Sequence, residues 1–349
     1  MADVGALAHV RGAGVVAELV ADPAVSDVLV NGSREVWVDR GAGLERVVCD
    51  VGDVRGLAVR LAAAGGARLD DAAPVADARL PDGTRLHAVL PPVAADGALI
   101  SLRTVRRRAF ALAELVAAGS VHDLVADVLR GLVERRANVL VTGGTGTGKT
   151  TLLSSLLSLV PASERIVCIE EAVELAPVHP HVVHLVERRA NVEGAGEVGQ
   201  AALVRHALRM RPDRIVLGEA RGAEIREVLT ALNTGHEGGW ATLHANAVAD
   251  LPARLEALGA LAGLDRAAVA AQAASALDAV VHLRRDGRRR WVAEVGTVRR
   301  PTAGDGWAVD TVLSVDAGGA VVAAPGWPAF ARRWAPGGAQ VRAAAGTVP

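Results

Sequence analysis

One stretch limits what this chain can fold into more than any other: Gly143-Gly144-Thr145-Gly146-Thr147-Gly148-Lys149-Thr150. It follows the apolar run Val139-Leu140-Val141 and precedes Leu152, Leu153, Leu156 and Leu157 at helical spacing. A strand, a glycine loop and a helix in that order form the context of a phosphate-binding P-loop. Glycines let backbone N–H groups turn inward around phosphate oxygens, and the helix N-terminus adds its positive dipole end. In such a loop Lys149 reaches the β- and γ-phosphates and the Thr150 hydroxyl holds Mg²⁺, with Thr151 completing the candidate nucleotide-binding run. A glycine-rich turn with an incidental lysine is the bland alternative, and the full spacing with both flanking elements argues against it. Composition adds weight here. Lysine and arginine together number 38, yet Lys149 is the only lysine in the chain. A drift toward arginine everywhere else has spared the position where a compact ammonium on a flexible stem is chemically needed.

At 349 residues there is chain for about two domains with ordinary cores. A hydrophobic content of 51% with 22% charged residues describes a globular protein, not a disordered one. The net charge of −1 offers no general attraction to nucleic acid or anionic lipid. Cys49 and Cys168 are far apart and have no C-x-x-C partner, which points to a reducing compartment and no zinc module. No apolar run approaches the ~20 residues of a membrane span, and no basic-then-apolar leader opens the chain. The expectation is a cytosolic protein whose membrane role, if it has one, comes through a partner.

Along the chain, residues 3–20 have helical spacing weakened by glycines, and Val28-Leu29-Val30 with Val36-Trp37-Val38 read as two strands around Asn31-Gly32. A helix over 54–64, a hairpin over 77–89 turning at Pro81-Asp82-Gly83, and a strand at 99–103 complete an α+β domain over 1–104. Residues 105–119, with Arg106-Arg107-Arg108, read as a linker. From Val121 the pattern becomes alternating helix and strand. Helices are expected near 121–135, 203–210, 222–233, 249–262 and 266–278. Strands are expected at 166–169, 182–186, 214–218 and 241–243, with a hairpin of 279–283 and 291–295 around Asp286-Gly287. Fully apolar strands separated by helices imply a parallel sheet covered on both faces, whose ligands gather at the carboxyl ends of the strands. Thr142, Glu170, Glu219 and His244 all sit at such ends. Residues 301–349, rich in Gly, Pro, Ala and Trp, form a C-terminal extension to which the sequence assigns no role.

Nucleotide hydrolysis needs a phosphate cradle, a metal, a group that orients or deprotonates water, and cations for the developing charge. Glu219, after Ile215-Val216-Leu217-Gly218, fits the Mg²⁺-holding carboxylate. Glu170 or Glu171, ending the neighbouring strand, could activate the attacking water. His236 and His244 flank a strand, but no third ligand at metal spacing accompanies them, so a γ-phosphate sensor is the sharper reading. Arg103, Arg209, Arg211, Arg214 and Arg221 are candidate cationic fingers in a chain where most arginines are surface charge.

These stretches together resemble the secretion (traffic) ATPase family, which powers type II and type IV secretion, conjugation, and assembly of type IV and Tad/Flp pili. Glu170-Glu171 looks like its Asp box, Ala207 to Gly222 like its Walker B region, and Gly235 to Asn246 like its His box. Arg79 to Arg85 and Ile100 to Arg103 resemble the Tad/Flp branch, so the likeness spans about residues 25–300. The resemblance implies a RecA-like P-loop ATPase domain over 120–300 and ATP with Mg²⁺ as cofactors. It also implies a homohexamer working on an inner-membrane platform protein, with the chain peripheral to the inner face of the membrane. It implies Glu170 as catalytic carboxylate, Glu219 as Walker B residue and Arg103 as an N-domain arginine reaching the nucleotide; Lys149, His244, Arg209 and Arg221, read from the residues above, complete the candidate catalytic set. Glu171 departs from the family's usual Asp, and Glu237-Gly238-Gly239-Trp240 departs from its more polar His box. The four-cysteine zinc module of some members is absent, which favours the Tad/Flp or conjugation-like branch. The alternative is a nucleic-acid motor or DNA-transfer ATPase on the same core; near-zero net charge, two phenylalanines and no tyrosine argue against nucleic acid as the partner.

Overall fold

The computed structural model describes residues 10, 13–41, 43–104, 109–188, 195–299 and 307–335. The chain divides into two compact units, Met1–Arg107 and Arg108–Pro349.

The first unit contains α1 (Gly14–Ala21), β1 (Asp27–Gly32), β2 (Glu35–Asp39), β3 (Leu44–Val47), α2 (Val54–Ala64), β4 (Val75–Arg79), β5 (Arg85–Val89) and β6 (Leu99–Arg103). Its strands run β3-β2-β1-β6-β5-β4, antiparallel throughout. Val28, Val30, Val36, Val38, Leu86, Ala88, Ile100 and Leu102 alternate onto one face, which buries them against Leu57, Ala58 and Leu61 of α2. That is the period-2 pattern of a sheet with one covered side. Asp53 caps α2 by accepting from the Gly56 amide at 2.8 Å. The 77–89 hairpin turns where expected: Asp82 accepts from the Thr84 amide, and Gly83 takes φ +91°. The start of the helix expected from residue 3 and the Arg106–Arg108 triplet lie outside the described residues.

The second unit opens with α3 (Leu112–Ala117), inside the segment expected as a linker; it packs on α4 (Asp123–Glu134) and α5 (Lys149–Leu157). Between those two helices runs β7 (Val139–Gly143). There follow β8 (Ile166–Glu170), β9 (Val182–Val186), α6 (Gln200–Ala207), β10 (Arg214–Ala220), α7 (Glu224–Asn233) and β11 (Trp240–Leu243). The chain continues through α8 (Leu251–Leu261), α9 (Arg266–Ala276), β12 (Ala279–Asp286), β13 (Arg289–Arg299), β14 (Ala308–Val315), β15 (Val321–Ala323) and α10 (Trp327–Trp334). The nine-stranded sheet has the order β15-β14-β13-β12-β7-β11-β10-β8-β9. From β9 to β12 neighbours are parallel; from β12 to β15 they are antiparallel. β7, β8 and β11 are buried along their whole length, with α3, α4, α5 and α10 covering one face and α6 to α9 the other. This explains why those strands read as unbroken apolar runs.

The described part of the extension continues this sheet. Trp307, Trp327, Phe330 and Trp334 are buried in its cores, and the Trp334 carbonyl passes directly over Gly131 in the last turn of α4. A Cβ at residue 131 would overlap that oxygen. On an open helix surface Gly→Ala stabilises by about 1 kcal/mol; here overpacking reverses the sign. Gly131→Ala is expected to lower the melting temperature by several degrees, since overpacking costs about 1–3 kcal/mol. Thermal unfolding measures it, and a raised melting temperature would show that α10 does not press on α4.

Candidate functional site

Strand order brings the site together. β7 lies between β11 and β12, so Thr142 has Leu243 beside it on one flank and His282 on the other. The carboxyl ends of β7, β8, β10 and β11 face one edge, where ligands of parallel sheets bind. Gly143, Gly146 and Gly148 take φ of +149°, +70° and +99°, conformations a side chain would strain, and Gly148 caps α5 in the left-handed region.

Lys149 is the first residue of α5 and is 8% exposed. Its Nζ donates to the carbonyls of Gly143 and Gly144 at 2.9 and 3.0 Å and lies 3.3 Å from His244 Nε2. Burial pushes the ammonium below its ordinary range, aided by Arg221 and opposed by Glu219. Thr147 ties the loop by donating to the Gly144 carbonyl at 2.9 Å. Thr150 and Thr151 stand in the first turn of α5.

Glu219 faces this ammonium from β10. Its Oε2 accepts from Arg221 Nε at 2.7 Å, and the same guanidinium reaches Glu171 Oε2 at 2.7 Å through Nη1. Burial works against the Arg221 charge, but the Glu219 hydrogen bond and both carboxylates hold it above its ordinary value. Glu219 Oε1 lies 2.6 Å from His244 Nε2, yet this buried oxygen completes no hydrogen bond. Burial holds His244 below the usual imidazole range, and Lys149, Arg221 and Arg254 together outweigh the opposing pull of Glu219. A neutral ring has one role to give at Nε2: accept from Lys149 or donate to Glu219, never both. His244 therefore stands between the P-loop cation and the β10 carboxylate as a group that can change sides.

Glu170 is placed differently. It is 2% exposed, with Oε1 accepting from the Glu174 and Leu175 amides at 2.8 Å each and Oε2 lying 2.8 Å from His184 Nδ1 on β9. The carboxylate that shares Arg221 with Glu219 is Glu171.

Arg214 is corrected by the structure: it is no cationic finger. It opens β10, at the opposite end from Glu219, and is 1% exposed. Its guanidinium is held by Glu164 at 2.6 Å and donates to the Val133 carbonyl at 3.0 Å. Gly238, at φ +79°, lies against that guanidinium, so a Cβ there would press on Arg214 Nη1. His236 and His244 lie at opposite ends of β11, so they are not a pair. Arg209 and Arg211 are exposed in the α6–β10 connection, at the Arg214 end of the strand. Arg103 belongs to the first unit, where Nε donates to Asp27 at 2.8 Å and the side chain is 65% exposed.

Two side chains against the P-loop are absent from the sequence reading. His282 is 1% exposed and joins Thr142 Oγ1 through Nδ1 at 2.9 Å. Arg290 Nε donates to the Gly146 carbonyl at 2.8 Å. The run Arg284-Arg285-Asp286-Gly287-Arg288-Arg289-Arg290 was the available signal, a hairpin turn loaded with cations. A cleft of about 550 Å³ separates this hairpin from the loop, lined by Gly144, Thr147, Asn246, His282, Arg285 and Trp291.

A family model described as type II/IV secretion system protein matches residues 9–303. The chain belongs to that family. A Mycobacterium tuberculosis protein named for conjugal transfer is 50% identical over 339 residues, covering 91% of this chain and 96% of the relative. Conjugal transfer protein TrbB of Rhizobium radiobacter is 33% identical over 233 residues, covering 65% of this chain and 68% of its own. Among solved structures, the pilus retraction motor PilT with bound ADP superposes with a TM-score of 0.55 at 20% identity, over 91% of this chain and 84% of that one. The Legionella pneumophila ATPase DotB gives 0.54 at 20% identity, over 86% and 79%. At these identities the structural likeness is one of fold: a RecA-like P-loop domain with a smaller N-terminal α+β domain.

Proposed function

We propose that the chain is an ATP-hydrolysing motor that drives macromolecular export or pilus assembly at the inner membrane, acting as a homohexamer on a membrane platform protein. The observation that carries this reading is the meeting of Lys149, Glu219, His244 and Arg221 at the carboxyl ends of adjacent parallel strands. Mg²⁺ fits the residues present: Glu219 Oε1 is a buried carboxylate oxygen without a hydrogen-bond partner, and Thr150 follows Lys149 in the cradle. Thr150 and Glu219 would hold the ion, which would offset the charge that develops on the phosphates. Around it Lys149 binds the phosphates, Arg221 supplies a cation in cis, His244 reports which group holds its Nε2, and Glu170 is the carboxylate that orients water. No helix among the described residues is long and apolar enough to cross a membrane, so membrane attachment in this reading comes from the platform protein.

Tad/Flp-type pilus assembly is the finer reading that the motifs favour, while relatives named for conjugal transfer favour a DNA-transfer machine of type IV secretion. Phosphate release by the purified chain tests the enzyme. Turnover is expected with Mg²⁺ and ATP, lost on chelation, and raised by vesicles carrying the platform protein but not by single-stranded DNA. Salt-sensitive stimulation by single-stranded DNA alone would move the assignment to a nucleic-acid motor.

A further inference from the structure

The P-loop is touched by more than its own strand and helix. At its base, His282 on β12 sits directly opposite Thr142 on β7, and the two side chains meet at 2.9 Å. One residue on, Gly143 lies against the Leu283 carbonyl; a Cβ there would be 2.6 Å from that oxygen, so the loop begins on a bare backbone seat. At the apex, Arg290 on β13 donates to the Gly146 carbonyl at 2.8 Å, and its stem passes Gly148. The hairpin is itself anchored. Trp291 is buried, and its indole donates to the Val315 carbonyl on β14 at 3.0 Å. A continuous set of contacts therefore runs from the antiparallel extension, through the β12–β13 hairpin, to both ends of the phosphate cradle.

A glycine-rich loop is otherwise the part of a P-loop domain with the most conformational freedom to lose when it wraps a phosphate. Holding its two ends in the native unit lowers that cost before any ligand arrives. We propose that the β12–β13 hairpin pre-forms the phosphate cradle, with His282 at its base and Arg290 at its apex as positioning residues for the nucleotide. The inference rests on the P-loop binding nucleotide, as argued above. Pre-organisation of the free protein helps ground state and transition state alike, so its loss falls on affinity far more than on the chemical step.

Arg290→Met keeps the stem beside Gly148 and removes the donor. Titration with a fluorescent ATP analogue is expected to show roughly a five- to tenfold weaker Kd, the scale of one lost hydrogen bond to a positioned loop. KM should rise in step, with a much smaller change in kcat at saturating ATP. Arg290→Lys, which retains a cationic donor, should recover part of the loss. His282→Leu is expected to weaken binding in the same way and His282→Asn to restore it, because an amide can again meet Thr142. A merely structural role would lower the melting temperature and leave Kd and KM of the folded fraction unchanged. Should His282→Leu fail to fold, Arg290→Met, at an exposed position, still decides. Wild-type Kd in Arg290→Met overturns the brace while leaving the motor reading intact; absence of nucleotide binding by the wild-type chain overturns the motor reading itself.

Discussion

Lys149→Ala is expected to abolish ATP turnover, with a loss on the order of 10³-fold or more, the scale of removing a pre-organised cation from developing phosphate charge. The fold should survive it. The loop's shape is set by left-handed glycines at 143, 146 and 148 and by the hairpin contacts, none of which needs the lysine side chain. Stability should change little, because relief of the buried ammonium, whose cost shows as its lowered proton affinity, is offset by the Gly143 and Gly144 carbonyls losing their donor. Lys149→Arg should fare no better. A planar guanidinium cannot settle over the Gly143 and Gly144 carbonyls as a compact ammonium does. Steady-state phosphate release with parallel thermal unfolding measures both effects. Turnover near wild type in a folded Lys149→Ala protein would remove the P-loop from the mechanism, and with it the motor assignment.

The P-loop, the parallel sheet and the strand-end positions of Glu219 and His244 were legible in the sequence because each is local: a motif with its flanks, or an apolar run with a polar residue closing it. What escaped was non-local. His282 touches Thr142 only because β12 pairs with β7, and Arg290 reaches Gly146 only because β13 follows as a hairpin. No spacing rule places residues 282 and 290 beside residues 142 and 146. Arg214 looked like any of many arginines until its burial against Glu164 and Val133 was visible. His236 and His244, which the sequence already put on either side of a strand, are held apart by that strand. The extension offered no clean periodic pattern to read: the eight residues of β14 are mixed in burial, β15 has only three, and α10 spans a single apolar face of Trp and Phe.

The division of labour between the paired glutamates is the other point where a large effect is expected. Glu170→Gln should lower kcat by about 10²–10⁴-fold, the range of a lost general base, while nucleotide still binds. Glutamine is the informative replacement. Its amide oxygen can go on accepting from the Glu174 and Leu175 amides, whereas alanine would leave two buried N–H groups unpaired at about 1–3 kcal/mol each. Glutamine loses charge assistance in those bonds and must present its NH₂ to His184 Nδ1, which accepts it in the tautomer that carries the ring proton on Nε2. A modest fall in melting temperature is therefore expected beside the large fall in turnover. Glu171→Gln, in a carboxylate tied to Arg221 and lying beside Glu219, should cost less turnover and shift the apparent Mg²⁺ requirement. The geometry makes the opposite outcome meaningful. For Glu170 to serve a water molecule, Oε2 has to leave His184 during the cycle while Oε1 stays with the 174–175 turn. If Glu170→Gln lowers only the melting temperature and Glu171→Gln stops hydrolysis, then Glu170 is the staple that holds the 174–175 turn to β8, and the carboxylate that works on water is the one Arg221 already shares with Glu219.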